Sequence, residues 1–291
     1  MSEPVFRTYD RAALDREYDN RKKVANAAEV LAWYAAASRQ TRETFPCRLD
    51  VAYGPSSAET LDIFLPSRGG AAGAPVQVFI HGGYWQRLDK ADFSYVARGF
   101  VPAGAAVVVI NYALMPTVSM DEIVRQCRAA VVWVHGNARG FGGDPHRLFI
   151  SGHSAGGHLV AMLMATDWVR LGTPHDVVKG GCAISGLYDL EPIRLCYLND
   201  VLALTPADAE RNSPLRLPPP RSGALILALG EREGPEYHRQ TDDLAAAWAR
   251  RGFTAEVMDL AGHDHFSIAV QLGEAKSELS RAILGQMGVG G

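Results

Sequence analysis

Cysteine is scarce in this sequence, and its few copies form no recognisable pairing motif. Four cysteines occur among 291 residues, far apart and without a Cys-x-x-Cys pair. This spacing disfavours a zinc site or a disulfide framework. We therefore expect reduced and mostly buried thiols at Cys47, Cys127, Cys182 and Cys196.

Long apolar runs and a strong net charge are also lacking. No run of about 18 apolar residues occurs, so no membrane span is expected, and the first residues lack the apolar core of a secretory signal peptide. The net charge of −3 offers no electrostatic attraction for nucleic acid or an anionic membrane surface. These absences predict a cytoplasmic protein whose partner is a small-molecule substrate.

Apolar strands alternating with helices dominate the sequence from residue 76 onward. Near-continuous apolar strands in such an alternation are typical of a mainly parallel sheet covered by helices on both faces. We expect one such α/β domain over residues 1–291. Strands are predicted at 48–53, 60–65, 76–80, 105–110, 147–150, 179–184, 224–229 and 255–260, the first two as an antiparallel hairpin.

Two segments depart from this alternation. Residues 1–40 are rich in helix formers with apolar residues at helical spacing, which predicts a helical cap segment over the sheet. Residues 191–222 contain a run of prolines and two candidate short helices. We interpret this second segment as an insertion near the active-site end of the sheet, not as a separate domain.

The most informative motif is Gly-His-Ser-Ala-Gly at 152–156, which follows an apolar strand and opens a helix. Gly152 and Gly156 flank Ser154 where a strained strand-to-helix turn needs residues without a Cβ. This turn exposes the Ser154 hydroxyl at the sheet edge, and the helix N-terminus favours negative charge beside it. Ser154 is therefore the predicted nucleophile, and the turn is expected to direct His153 away from its hydroxyl.

A pair of glycines follows the third predicted strand. Gly82 and Gly83 let the backbone approach a substrate closely and aim N–H groups at one point. Together with the Ala155 amide they are predicted to form an oxyanion hole, the alternative being a simple Gly-Gly turn. Tyr84 and Trp85, next in the chain, are candidates to contact the substrate or to pack their loop against the cap.

A serine hydroxyl needs a base, and the base needs an acid that orients it. His265 is the preferred base over His263, because the Phe266 that follows opens a helix able to fix the loop. A metal site built from His263, Asp264 and His265 is disfavoured, since no further cluster of ligands accompanies it.

The orienting acid is expected just beyond the strand at 224–229, since one class of serine hydrolase runs serine, acid, histidine along the chain. The turn there contains Glu231, Glu233 and Glu236 but no aspartate. Glu233 is preferred, because glutamate can do the work of aspartate from one methylene further back. Glu231 and Glu236 remain open as alternatives.

Together these motifs resemble the α/β-hydrolases of the hormone-sensitive-lipase type and, within that group, the arylformamidases (kynurenine formamidases). The wider resemblance is carried by His-Gly-Gly at 81–83, Gly-Gly-Asp-Pro at 142–145 and Gly-His-Ser-Ala-Gly-Gly at 152–157. The narrower one is carried by Tyr-Trp at 84–85, Ser-Gly-Leu-Tyr-Asp-Leu at 185–190, Pro-Glu-Tyr at 235–237 with Gln240, and Leu-Asp-Arg-Glu-Tyr-Asp-Asn-Arg at 14–21.

The resemblance implies an α/β-hydrolase fold with nucleophile, acid and base at Ser154, Glu233 and His265, glutamate standing where the family normally has aspartate. It implies hydrolysis of N-formyl arylamines such as N-formylkynurenine, a step of tryptophan catabolism, with no metal or organic cofactor. Tyr188, after a strand end, is a further candidate for the pocket wall. A homodimer is implied by the resemblance alone.

Two other functions stay open at this point. A carboxylesterase for short acyl esters would use the same three side chains on a different substrate. A ligand receptor or scaffold would keep the fold without catalysis, and the presence of serine, histidine and a carboxylate together disfavours it.

Overall fold

The computed structural model describes residues 3–67 and 73–289, and within them eight strands form one sheet. The strands are β1 (Cys47–Ala52), β2 (Thr60–Phe64), β3 (Ala74–Ile80), β4 (Ala106–Ile110), β5 (Gly143–His153), β6 (Val178–Ile184), β7 (Ala224–Gly230) and β8 (Glu256–Leu260). Their order is β1-β2-β4-β3-β5-β6-β7-β8. The pairs β1–β2 and β2–β4 are antiparallel and the others are parallel, so the predicted mainly parallel sheet and its hairpin are confirmed.

Helices cover both faces of this sheet, as predicted from the near-continuous apolar strands. They are α1 (Arg11–Tyr18), α2 (Asn20–Lys23), α3 (Ala27–Thr44), α4 (Ala97–Phe100), α5 (Met120–Asn137), α6 (Ala155–Met164), α7 (Glu191–Arg194), α8 (Asn199–Leu202), α9 (Pro206–Arg211), α10 (Pro235–Ala249), α11 (Ser267–Val270) and α12 (Glu278–Gln286). Val108 of β4 belongs to the core covered by α5, α6 and α10. Val107 and Val109 belong to the core covered by α3, α4 and α12.

The carboxyl ends of five strands meet at one edge of the sheet. Gly152 in β5 pairs with Ile80 at the end of β3 and with Ala183 near the end of β6. Beyond β6 in the sheet, Gly230 at the end of β7 pairs with Leu260 at the end of β8. Because these pairs are parallel, the loops after these strands all leave at the same edge, which is where α/β sheets bind their ligands.

Residues 11–23 and 191–213 lie over this edge, and we call these two segments together the cap. The rest of the predicted insertion, residues 214–222, leads back to the opposite edge, where β7 begins. The two cap segments contact each other, because Arg11 pairs with Asp200 at 3.2 Å and Asp15 accepts a hydrogen bond from the Tyr197 amide at 2.6 Å. The second segment forms three short α-helices, where the sequence predicted two. The third helix of the N-terminal region, α3, packs instead against one face of the sheet.

The structure describes the state of the cysteine thiols and the length of the helices. All four cysteines are free, and all except the half-buried Cys47 are buried. No helix in the described ranges is both long enough and apolar enough to cross a bilayer.

Candidate active site

Ser154 occupies a strained turn between β5 and α6. Its φ of 58° and ψ of −117° are costly for any residue with a Cβ, typically by about 1–3 kcal/mol. The flanking glycines make the turn possible, since a Cβ on Gly152 would overlap the Gly156 carbonyl and a Cβ on Gly156 would overlap the Ile80 carbonyl. The first residue of α6 follows directly, so the positive end of that helix lies beside the hydroxyl.

Ser154, His265 and Glu233 form a continuous series of hydrogen bonds. The Ser154 hydroxyl lies 3.0 Å from Nε2 of His265, and Nδ1 of His265 lies 2.7 Å from Oε2 of Glu233. All three side chains are buried. The three elements that carry them are far apart in sequence, and the parallel strand ends of β5, β7 and β8 bring them together.

Glu233 is held as a carboxylate by its surroundings. Burial acts to raise the pKa of Glu233, but His265, the Ser185 hydroxyl and the Gly230 amide outweigh it and lower that pKa below its ordinary value. Ser185 donates to Oε1 at 2.5 Å and the Gly230 N–H donates to the same atom at 2.8 Å. Ser185 was missed as a site residue, because a single serine after a strand gives no signal of its partner.

The structure separates Glu233 from the alternatives left open by the sequence. Glu231 is exposed and accepts a hydrogen bond from the Gly262 amide at 2.7 Å. Glu236 points to the cap and pairs at 2.7 Å with Arg239 of its own helix. His263 contacts Gln271 instead of Ser154. Among the described residues, no group of three or more histidine, cysteine or acidic side chains is placed to hold a metal ion.

His153 lies closer to the site than the sequence suggested. Its Nε2–H donates to the His265 carbonyl oxygen at 2.7 Å, and the two rings are 4.9 Å apart. Burial, followed by the neighbouring His265, lowers the pKa of His153 to about 3. His153 is therefore neutral at physiological pH and holds the main chain of His265 in place.

The glycine loop after β3 passes close to Ser154. A Cβ on Gly82 would come within 2.7 Å of the His153 carbonyl oxygen and 3.1 Å of the Ser154 Cβ, so only glycine fits. Gly83 has a φ of 111°, which side chains rarely adopt. The amides of Gly82, Gly83 and Ala155 donate to no backbone acceptor within residues 3–67 and 73–289, so these N–H groups are available to a ligand.

Trp85 anchors the glycine loop and does not line the cavity beside Ser154 in which a ligand would bind. Its ring is fully buried, and its Nε1–H donates to Nδ1 of His158 at 3.1 Å. His158 in turn donates from Nε2 to the Asn212 carbonyl in the cap at 2.8 Å. The prediction that Trp85 contacts substrate is thus corrected, because the ring packs in the core against His158.

A cavity of about 250 Å³ opens beside Ser154 and His265. Tyr84 lines it, as predicted for a substrate-binding residue, whereas Tyr188 does not. The ring of Tyr188 is fully buried in the core beneath the loop, so its assignment to the pocket wall is wrong. The apolar part of the lining comes from Leu31, Tyr34, Leu88, Phe93, Leu198 and Phe266.

Polar residues at the solvent side of this cavity come from the cap and the glycine loop. Arg21 and Arg87 line it and are exposed. Neither guanidinium lies within ion-pair distance of a carboxylate in the described part of the chain, although the cavity also includes Asp19, which pairs with Lys22 at 2.8 Å. The cavity thus combines an apolar interior with cationic groups at its opening.

A buried set of hydroxyls ties the cap to the site. Asn20 donates from Nδ2 to the hydroxyls of Tyr237, at 2.7 Å, and Tyr84, at 3.1 Å. The Tyr237 ring lies 4.9 Å from the His265 ring. The family motifs at 14–21, 84–85 and 235–237 therefore meet at one place, although sequence reasoning assigned no role to Asn20 or Tyr237.

Known proteins resemble this chain in family, in sequence and in overall structure. The BD-FAE family matches residues 61–172. Kynurenine formamidase of Danio rerio is 34% identical over 261 residues, which cover 87% of this chain and 86% of the relative. The chain belongs to the kynurenine formamidase family. The kynurenine formamidase of Salmo salar is 35% identical over 247 residues, which cover 82% of both proteins.

The solved structures place this member of the kynurenine formamidase family among the α/β-hydrolases, so the predicted fold class is confirmed. A candidate thioesterase from Silicibacter sp. TM1040 superimposes with a TM-score of 0.82 at 30% identity, covering 93% of this chain and 98% of the other. The protein is a hydrolase of that fold. Ser154, His265 and Glu233 lie where such a hydrolase needs a hydroxyl, a base and a buried carboxylate.

Proposed function

We propose that this hydrolase cleaves N-formyl arylamines, with N-formylkynurenine as substrate, to formate and the arylamine. The observation that carries the proposal is the hydrogen-bonded series from Ser154 through His265 to Glu233, open to an apolar cavity. Close homology to kynurenine formamidases supports the choice of a formamide as the bond that is cleaved.

In the first half-reaction, Nε2 of His265 takes the hydroxyl proton as Ser154 Oγ attacks the formyl carbon. Glu233 keeps Nδ1 protonated and stabilises the imidazolium that forms. The tetrahedral intermediate then breaks its C–N bond, and the proton on Nε2 passes to the leaving nitrogen. The arylamine departs and a formyl ester of Ser154 remains.

In the second half-reaction, water gives a proton to His265 as its oxygen attacks the formyl ester. The C–Oγ bond breaks, the proton returns to Ser154, and formate leaves. In both steps a negative oxygen develops near Gly82, Gly83 and Ala155. Their amides are the proposed oxyanion hole, and one such donor typically contributes about 3 kcal/mol to lowering a barrier.

Two features of the cavity support an aromatic amino acid as the leaving group. Its interior is lined by rings such as Tyr34, Phe93 and Phe266, which suit the arylamine. At its solvent side, Arg21 and Arg87 have no carboxylate partner among the described residues and would suit the carboxylate of an amino-acid tail.

The competing function is a carboxylesterase for short acyl esters, which needs no change in the three central side chains. A kinetic panel separates the two, with kcat/KM measured for N-formylkynurenine, formanilide, p-nitrophenyl acetate and p-nitrophenyl butyrate. We expect the formamides to be cleaved efficiently, with some ester cleavage because esters are the easier substrates. Rapid turnover of both esters with no cleavage of either formamide would replace the proposed function with the esterase.

A further inference from the structure

Asn20 is a buried polar side chain of the cap, and it lines the cavity beside Ser154. It is 5% exposed and begins helix α2. It lines the same cavity as Ser154 and His265. A buried amide next to a reactive hydroxyl is expensive unless its polar atoms are satisfied by protein or ligand.

The orientation of the Asn20 amide is fixed by its two tyrosine partners. The Tyr84 hydroxyl gives its single hydrogen to the Tyr18 carbonyl oxygen at 2.7 Å. The Tyr237 hydroxyl, 2.9 Å away, must then donate to Tyr84. With the amide turned over, the Tyr84 hydroxyl would face Oδ1 with no hydrogen to offer. Both hydrogens of Asn20 Nδ2 are therefore used by these hydroxyls.

The oxygen of the same amide is left for a ligand. Oδ1 of Asn20 has no hydrogen-bond partner within residues 3–67 and 73–289, while its nitrogen has two. An amide oxygen accepts hydrogen bonds and cannot donate them. Asn20 lines the cavity, and its nitrogen is taken up by the two tyrosines, so Oδ1 is the amide atom left to face a ligand there.

We propose that Asn20 Oδ1 accepts a hydrogen bond from the N–H of the substrate's formamide and thereby selects formamides over esters. The inference rests on the proposed function, because it assigns a contact within that reaction. An ester has an oxygen in place of this N–H, and its lone pairs would face Oδ1. A site built to bind an N–H strongly disfavours an analogue that lacks it.

The contact also suits the breaking of the C–N bond. As the formyl carbon becomes tetrahedral, the nitrogen loses its planar geometry and its lone pair must turn toward the proton on His265. A hydrogen bond from N–H to Asn20 holds the hydrogen on the other side of the nitrogen. As His265 protonates the nitrogen, the positive charge that develops there makes the remaining N–H a better donor. The hydrogen bond to Asn20 then strengthens on the way to the transition state, which is the condition for catalysis.

The test compares substrates that differ only at this atom: formanilide, N-methylformanilide and phenyl formate. In Asn20→Leu we expect kcat/KM for formanilide to fall roughly 30-fold, and that for the other two by less than about threefold, because they have no N–H to lose. Tyr237→Phe is the matched control, since it removes a partner of Nδ2 and leaves Oδ1. Tyr237→Phe is expected to lower kcat/KM for all three substrates by one common factor.

Equal losses on all three substrates in Asn20→Leu would overturn the inference, because they are the result of a purely structural role. Asn20→Asp provides a second variant, which keeps an acceptor oxygen but loses both N–H donors to the tyrosine hydroxyls. We expect kcat/KM to fall for all three substrates, while the ratio of formanilide to phenyl formate stays near that of wild type. If that ratio collapses in Asn20→Asp, the inference is wrong as well. Failure of the wild-type enzyme to cleave formanilide or N-formylkynurenine would instead contradict the proposed function.

Discussion

The sheet edge and the cap above it are built from different interactions. At the edge, buried strands such as β3 and the end of β5 lead into glycine-containing turns, and the turn after β5 holds the Ser154 hydroxyl 3.0 Å from His265. The cap packs apolar residues such as Leu14 into the core and adds buried polar contacts between distant segments, such as the Tyr18 hydroxyl on Glu236 at 3.1 Å. We expect the edge to determine the reaction and the cap to influence which substrates reach it.

The polar contacts of the cap converge on helix α10. Glu17 pairs with Lys23 at 2.9 Å and accepts a hydrogen bond from the Glu236 amide at 3.1 Å. Arg239 binds Glu236 at 2.7 Å and Asp189 at 3.4 Å. Buried pairs of this kind add modest net stability but are costly to break one side at a time. Together these contacts hold the cap in one position above the edge.

The largest effect is expected from removing the hydroxyl at the edge. In Ser154→Ala, kcat should fall about 10⁶-fold for formamides and esters alike, because both need the same attacking oxygen. The cap is untouched, so calorimetry should still detect binding of N-formylkynurenine. Labelling by a fluorophosphonate probe should disappear, and labelling that persists would mean that another residue is the nucleophile.

The carboxylate partner of His265 comes next. Glu233→Ala should lower kcat about 10⁴-fold, because His265 loses the group that fixes its tautomer and stabilises its charge. Glu231→Ala, two residues away and exposed, is the matched control and should stay within about twofold of wild type. Near-normal turnover in Glu233→Ala would show that a different group orients His265.

A third prediction concerns acid stability at the junction of edge and cap. Burial lowers the pKa of His158 to about 4, and burial together with His265 lowers that of His153 to about 3. The unfolded chain binds protons at both from about pH 6.5 downward. Stability should therefore fall as the pH drops below that value, toward each folded pKa, by about 1.4 kcal/mol per pH unit for each histidine.

Urea denaturation at pH 7.5, 6.5, 5.5 and 5.0 measures this slope above the range of the carboxylates. His158→Gln removes one of the two titrating groups and should make the slope shallower by about one proton. An unchanged slope would show that His158 is protonated in the folded protein.

A smaller effect is expected at the opening of the cavity. Arg87→Gln and Arg21→Gln should each raise KM for N-formylkynurenine about threefold to fivefold, a modest change because both side chains are exposed. KM for formanilide, which has no amino-acid tail, should not change. Arg98→Gln, at an exposed arginine outside the cavity, serves as control, and equal shifts on both substrates would remove the arginines from substrate recognition.

The smallest effect is expected for a residue that the structure moves away from the cavity. In Tyr188→Phe, kcat/KM should change less than about twofold, because the ring is buried in the core away from the cavity, where its hydroxyl lies 3.4 Å from the Ala183 carbonyl oxygen. A tenfold loss of kcat/KM, measured on N-formylkynurenine, would indicate that Tyr188 contacts the substrate.

The edge could be predicted from sequence because its signals are local. Ser154 has glycines on both sides, and Glu233 and His265 each follow an apolar strand whose end must reach the same edge. The two cap segments were also predicted, but their contacts were not, because these depend on pairs of residues that only the fold brings together. Asn20 and Tyr237 are polar residues in separate helices, and no sequence pattern around either residue predicts its contact with the other.

Side-chain direction was the second limit on prediction. An aromatic residue after two glycines can turn to the ligand or to the core, and the sequence does not distinguish Tyr84, which lines the cavity, from the buried Trp85. His153 was expected to face away from the Ser154 hydroxyl; its Nε2–H bonds elsewhere, to the His265 carbonyl, but its ring also lines the cavity. Both cases concern the direction of a side chain whose place in the chain was identified correctly.

The long-range bonds of the cap also dictate an order of assembly. Tyr18 and Glu236 are 218 residues apart, and Asn20 and Tyr237 are 217 apart. During synthesis the N-terminal segment leaves the ribosome long before α10 exists, and domains form from the N-terminus onward. The segment must therefore wait without its partners, so the cavity is completed only when nearly the whole chain has been made. A chain that has not yet reached α10 has neither His265 nor the partners that close the cap, so it cannot cleave a substrate.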